Sequence, residues 1–343
     1  MSMKTISAKD NLEQLCRTPG VAGQTEITEL AVKLLRPLTD TVTVDRMGNV
    51  LAVRRGADPA AGTVLLQAHM DEVGFLVTGV DELGFVHVAA AGSPDERVLA
   101  AQNVVVYGDK PYPGVFCSVP PHLIQKDSGL PELSTRGIDI GMSGQEAMAH
   151  VRPGDRVAFA PRFFPMGETV VSCKALDNRA GMAAILEALS VLRQPAATVA
   201  VAFCVQEEVG RRGAGVAARQ LKPDVALVTD VSFALTPDAD PRHCGVMGKG
   251  AMIGLSPLLD RRVSDGLTEI AGRLEIPHQF EVMGASTGTD ADRISNENAG
   301  IPTGLLSIPL RYMHTPAEAV DLLDVVAVGA LMAAYVTERG TRL

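Results

Sequence analysis

The period of the hydrophobic pattern changes along the chain, and the changes mark its organisation. Between residues 8 and 38 apolar side chains recur at helical spacing, with Ile27, Leu30, Leu34 and Leu35 on one face and a break at Pro19-Gly20. Residues 42–44, 49–53 and 63–66 then read as strands, the first two joined by a turn at Met47-Gly48-Asn49. From about residue 72 to 165 the texture shifts to short β-like runs at 75–77, 85–88, 103–106 and 114–116, separated by Gly and Pro turns. Short strands at even spacing predict a small barrel or sandwich. After Thr169 strands and helices alternate again. A helix is predicted over 177–192, with Met182, Ile185, Leu186 and Leu189 on one face, then strands over 199–205 and 225–229, and helices over 259–274, 290–298 and 317–336. Such alternation predicts an α/β layer, a mixed, mostly parallel sheet sandwiched by helices. The expected organisation is an α/β domain at 1–70 and 166–343, interrupted by an inserted β domain at 71–165.

Composition narrows the function. The 343 residues are 46% hydrophobic and 21% charged, ordinary for a globular chain and enough to bury a core. Aromatic residues are only 4%, with no Trp, which disfavours a base-stacking platform for single-stranded nucleic acid. A formal net charge of −9 disfavours sequence-independent binding to nucleic acid or an anionic membrane. The five cysteines are scattered without a C-x-x-C, so neither a disulfide framework nor a cysteine-based zinc finger is expected, and a reducing compartment fits best. The first ten residues lack the apolar core of a signal peptide, and the longest apolar run, about 12 residues, is shorter than the ~18–20 of a membrane span. A cytoplasmic location is expected.

The candidate chemistry sits at strand ends. His69 closes an apolar strand in the string Gln67-Ala68-His69-Met70-Asp71-Glu72, and in a His-x-Asp the acid can fix the tautomer of a metal-bound imidazole. Asp177, in Lys174-Ala175-Leu176-Asp177-Asn178-Arg179, opens a helix, where a capping role explains it equally well. Glu207 and Glu208 follow an apolar strand directly, and two carboxylates there need solvent or cations. Asp230 ends another apolar run, and His314 follows the strand at 304–308. His87, His150, His243 and His278 have no aligned partner and read as surface or satisfied histidines. Each strand-end feature alone is modest. Together, five strand ends of one α/β layer present two His and several carboxylates and no Cys, a donor set that suits a pair of divalent cations such as zinc, cobalt or manganese, joined by a bridging carboxylate.

At this point the chain resembles the tetrahedral (TET-type) di-zinc aminopeptidases, which include glutamyl and deblocking aminopeptidases and some members labelled cellulase or endoglucanase M. The resemblance runs over nearly the whole chain. It rests on His69-Met70-Asp71-Glu72-Val73-Gly74-Phe75, Leu176-Asp177-Asn178-Arg179, Gln206-Glu207-Glu208-Val209-Gly210, Gly288-Thr289-Asp290-Ala291 and Arg311-Tyr312-Met313-His314-Thr315-Pro316, in that order. It implies two metal ions per subunit, zinc first, with cobalt or manganese as alternatives. His69 and Asp230 would hold one ion, Glu208 and His314 the other, and Asp177 would bridge them. Glu207 would be the general base and Asp71 would orient His69. The implied activity is removal of N-terminal residues from peptides with a free α-amine. The implied assembly is a dimer made through the β insert, and six dimers in a hollow tetrahedral dodecamer. The stretch Ala90-Ala91-Gly92-Ser93-Pro94 and the loop 231–238 depart from the family pattern or carry no readable preference, and both are expected to lie clear of the ligand set. No residue identifies the preferred N-terminal side chain.

Two other readings compete. The same constellation could serve a carboxypeptidase or deacylase, because fold and metals do not fix the substrate. A non-catalytic, metal-stabilised assembly would leave Glu207, beside Glu208, without a use. Glycosidase chemistry fits worse, since it needs two carboxylates flanking the bond.

Overall fold

A computed structural model of the chain describes residues 3–123, 133 and 136–343. Among these residues eleven strands form one mixed sheet and six form a closed barrel. The centre of the sheet is parallel: Thr198–Cys204, Thr63–His69, Val225–Phe233 and Thr303–Arg311 lie side by side. Their sequences are near-continuous apolar runs, as expected of strands buried on both faces. Antiparallel strands extend both margins: Val50–Arg54 and Thr41–Val44 on one side, Glu318–Asp321, Val170–Cys173 and Phe164–Met166 on the other. Ala251–Leu255 pairs with Thr303–Arg311 and carries the edge strand His278–Val282.

Helices cover both faces. One core packs the helices Leu176–Val191 and Leu322–Glu338 against the sheet, together with Leu12, Leu15 and Ile27 from the N-terminal segment. The opposite face is covered by Gly213–Leu221 and the short helix Ala291–Ile294, over alternate positions such as Leu65, Val228 and Leu305. Each fully buried Leu, Val or Ile contributes about 1.5–3 kcal/mol relative to an exposed one.

The barrel runs in the order Gly74–Val80, Val86–Ala91, Gly137–Asp139, Pro111–Phe116, Asn103–Tyr107, Arg156–Phe159. Phe75 sits at its centre, with Phe116 and Phe159 edge-on at ring-centroid distances of 5.1 and 5.6 Å. Closure leaves no free edge among these strands.

Two predicted helices differ from the structure. The segment expected to be helical from 317 begins as the strand Glu318–Asp321, paired with Val170–Cys173, and the helix starts only at Leu322, where the Asp321 carboxylate accepts the Leu323 N–H at 2.9 Å. The helix expected over 290–298 is confined to Ala291–Ile294, and Asn298 takes a left-handed φ of 55° that ends the turn.

Candidate metal centre

The carboxyl ends of the parallel strands bring the predicted residues together, the position where open α/β sheets form their sites. His69 ends its strand, Glu207 and Glu208 follow Thr198–Cys204, Asp230 lies near the end of Val225–Phe233, and His314 follows Thr303–Arg311. Asp177 enters at the start of the helix Leu176–Val191. Its neighbour Asn178 locks that start to the sheet, donating to the Thr229 carbonyl at 2.8 Å while its own Oδ1 accepts the Gly181 N–H. The non-glycine residues with left-handed backbone include Ala175, Gln206, Tyr312 and His314. Such conformations are costly and persist where surrounding contacts hold them, here on each turn that delivers a side chain to the centre.

Asp177 stands in the middle. Its Oδ1 is 3.0 Å from His69 Nε2 and its Oδ2 is 3.5 Å from His314 Nε2. Asp230 Oδ1 lies 3.6 Å from His69 Nε2, and Glu208 Oε2 lies 3.4 Å from His314 Nε2. Two groups of potential ligand atoms result, His69 with Asp177 and Asp230, and Asp177 with Glu208 and His314, the atoms of each lying within 4.8 Å of one another. Both rings turn the same nitrogen inward. His69 Nδ1 donates to the main-chain carbonyl of Asp71 at 3.1 Å, and His314 Nδ1 donates to that of Ser93 at 2.9 Å, so each Nε2 faces the carboxylates.

The electrostatics fit a cation. Burial alone would lower the pKa of His69, but the surrounding carboxylates of Asp177, Asp230 and Asp71 outweigh it and hold the ring well above the ordinary value. His314 is likewise raised, Asp177 outweighing the effect of burial. Asp177 is pulled below the usual carboxylate range by the two rings, against the effect of its burial. Glu208 is pushed well up by burial and by the Asp177 charge, and its Oε1 is buried without a hydrogen-bond partner. Without a cation the imidazoles must carry the positive charge that these carboxylates require. A divalent cation would take the place of each Nε2 proton and satisfy the orphaned Oε1. Burial also raises Glu207, up to about 8.

The supporting residues were less evident in the sequence. Asp71 keeps its carboxylate 3.7 Å from His69 Nδ1 and spends it on the main-chain N–H groups of Glu207 and Glu208, at 3.0 and 3.2 Å. Its orienting contact to His69 is the main-chain carbonyl. Glu318 is buried and accepts the N–H groups of Asp177 and His314 at 3.1 and 2.8 Å. It ends the conspicuous string from Arg311, but its position inside a predicted helix concealed it. The stretch 90–94, expected to lie clear of the ligands, instead touches them. Ser93 holds His314, and a Cβ at Gly92 (φ +81°) would sit 3.3 Å from the Glu208 Cβ. Glu72 forms a buried ion pair with Lys174 at 2.6 Å, linking the turn after His69 to the one before Asp177. His87 and His150 pair with Asp81 and Asp109 in and around the barrel, away from this centre.

The chain is similar to known proteins over most of its length. Residues 48–331 match the family model described as M42 glutamyl aminopeptidase. The chain is 33% identical over 322 residues to the lysyl aminopeptidase of Pyrococcus furiosus, covering 92% of each. It superposes on aminopeptidase APDkam598 from the archaeon Desulfurococcus kamchatkensis with a TM-score of 0.92 at 31% identity, covering 97% of this chain and 95% of that one. It is similar also to the TET1 peptidase of Pyrococcus horikoshii, which can assemble into a tetrahedron or a large octahedral shell, with a TM-score of 0.85 at 29% identity over 96% of this chain and 99% of that one.

Proposed function

The chain belongs to the M42 glutamyl aminopeptidase family, and from that premise we propose that it removes N-terminal residues from peptides by a two-metal, Glu-assisted attack of water. The observation that carries this reading is the pair of ligand groups sharing Asp177, with Glu207 beside them. His69 and Asp230 would hold one ion, Glu208 and His314 the other, with Asp177 between them. Zinc suits this nitrogen and oxygen donor set first, with cobalt and manganese as alternatives. Bound there, two divalent cations would supply Lewis-acid polarisation of the scissile carbonyl and acidify the attacking water.

The protein's own residues do the rest. Glu207 accepts the proton of the attacking water and delivers it to the leaving amine. Burial raises its carboxyl to about 8, and divalent cations held by the neighbouring ligands would lower it and favour the base form. Asp71 fixes the main chain on which Glu207 sits. His69 and His314, each tied through Nδ1 to a carbonyl, hold Asp177 from both sides.

We further propose that residues 71–165 form a dimerisation module and that dimers assemble into a tetrahedral dodecamer with the centres inside, which would admit peptides and exclude folded proteins. The shells formed by the Pyrococcus horikoshii relative support this. Among the described residues no helix is long and apolar enough to cross a membrane, and all five cysteines are free, which fits a reducing cytoplasm.

The test is a digest of matched free and N-acetylated peptides, read by mass spectrometry, with added zinc or cobalt and an EDTA control. Stepwise loss of N-terminal residues from the free peptides alone, abolished by EDTA, is expected. Cleavage of acetylated peptides or from the other end would replace the aminopeptidase with a deacylase or carboxypeptidase.

A further inference from the structure

Family membership leaves the preferred first residue open, and the structure supplies a candidate determinant beside Asp230. Asp230 and Ser232 lie two apart on the strand Val225–Phe233, so their side chains share a face roughly 7 Å apart. Ser307, on the neighbouring parallel strand, is in register with Asp230 and shares that face. Both hydroxyls donate to one carboxylate, that of Glu281: Ser307 Oγ at 2.7 Å, and Ser232 Oγ in a shorter contact. Glu281 belongs to the edge strand His278–Val282 and is partly exposed. Beyond this strand runs the segment 283–290, which leads to the helix Ala291–Ile294. A Cβ built at Gly284 or Gly288 there meets nothing within 4 Å, so open space borders the segment.

Glu281 has no cationic partner within ion-pair distance among the described residues, only the two hydroxyls. Burial and the Asp230 charge both raise its pKa, as expected of a carboxylate short of compensating charge. An apolar side chain placed against it would deepen the desolvation, and an acidic one would add a third negative charge to Asp230 and Glu281. A cationic side chain would satisfy it.

We infer, on the aminopeptidase reading above, that Glu281 is a specificity-determining residue that selects peptides beginning with Lys or Arg. The substrate's first side chain extends from the metal centre past Asp230, and its ammonium or guanidinium meets the Glu281 carboxylate held by Ser232 and Ser307.

The test measures kcat/KM of the metal-loaded enzyme on otherwise identical peptides beginning with Lys, Arg, Leu or Glu, for the wild type and Glu281→Gln. The wild type is expected to favour Lys and Arg over Leu at least ~10-fold, with Glu slowest. Glu281→Gln should lose about 10- to 100-fold on Lys and Arg peptides, the value of a hydrogen bond to a charged group, and hold the Leu rate within about threefold. A wild type that favours Leu or Glu overturns the inference without any variant and leaves the aminopeptidase intact. Equal loss on all four peptides also overturns it, since Glu281 would then serve the α-amino group or the fold. N-terminal cleavage of none of the four overturns the aminopeptidase reading itself, and this inference with it.

Discussion

Asp71 Oδ1 accepts the main-chain N–H of Glu207 at 3.0 Å. The proposed base is therefore steered by a residue on a different strand's turn, two positions after His69. Substituting Asp71→Ala would free the turn 206–208, where Gln206 already holds a left-handed φ of 63°. A fall in kcat of about 10- to 100-fold is expected, with a comparable loss of metal affinity, as for other groups that orient ligands. Steady-state kinetics at saturating zinc, alongside zinc competition with a chelator, would check this. Unchanged kcat at full metal occupancy would remove Asp71 from the machinery.

Glu207→Gln separates catalysis from metal binding. Glu207 stands outside both ligand groups, whereas Glu208, Asp177 and Asp230 stand within them. The variant should keep two metal equivalents and its assembly while kcat drops about 10²- to 10⁴-fold, the usual weight of general-base catalysis. Metal analysis and peptide turnover on one preparation decide the matter. Full activity would reassign the base, and lost metal would make Glu207 a ligand.

The side chains that converge on Asp177 are legible because of where they sit. An acid or imidazole at or just past the end of an apolar run stands out against its surroundings, as His69, Glu207, Glu208, Asp230 and His314 do. The alternating texture gives the α/β layer for the same reason, and short turn-bounded runs give the barrel. What escapes notice is carried by other features. Ser93 and Asp71 steer the two imidazoles through main-chain carbonyls, which any residue supplies. Glu318 lies in a four-residue strand too short to show a period, directly before a strongly apolar helix that absorbs it into its pattern. In the edge strand His278–Val282 the usual alternation is inverted, with Phe280 and Val282 exposed and Gln279 and Glu281 half-buried, so a reading that turns apolar residues inward leaves Glu281 as a surface acid.

The Glu72–Lys174 pair makes a prediction about stability. Both side chains are buried, and Lys174 Nζ contacts both Glu72 oxygens, at 2.7 and 2.6 Å, while the Gly20 N–H donates to Oε1 at 2.8 Å. Removing one partner strands a buried charge. Lys174→Met is expected to cost about 3–5 kcal/mol, although the buried Arg179 guanidinium, 3.9 Å from Glu72, remains as a second cation, and the double variant Glu72→Gln/Lys174→Met is expected to cost less than the sum of the two single variants. Urea unfolding of the wild type, Lys174→Met, Glu72→Gln and the double variant gives the comparison. A double-variant cost equal to the sum of the two single costs would show that the two residues act independently.

Stability without metal should depend on pH with a definite sign. Asp324 is fully buried in the helix Leu322–Glu338 and accepts the Gly248 and Gly250 N–H groups, each at 2.7 Å, yet burial pushes its carboxyl up to about 7. Asp290, beside Gln67, is likewise raised by burial to about 7, and Glu207 to about 8. A carboxyl whose folded pKa exceeds its unfolded value near 4 binds its proton more tightly in the native state. Its contribution is complete below the unfolded pKa and is lost as pH rises through the folded one. The raised pKa values of His69 and His314 act in the same direction, starting above 6.5. Asp177, pulled low, acts oppositely, but only below about pH 4. The EDTA-treated protein should therefore lose stability steadily from pH 5 to pH 8, by at most about 1.4 kcal/mol per pH unit for each group titrating. Asp324→Asn should flatten that slope, because Asp324 lies outside the ligand groups and its titration is removed without touching them. Urea midpoints taken across this range with both proteins provide the measurement. Parallel curves would mean that Asp324 stays ionised in the folded chain, with the two glycine N–H groups outweighing its desolvation.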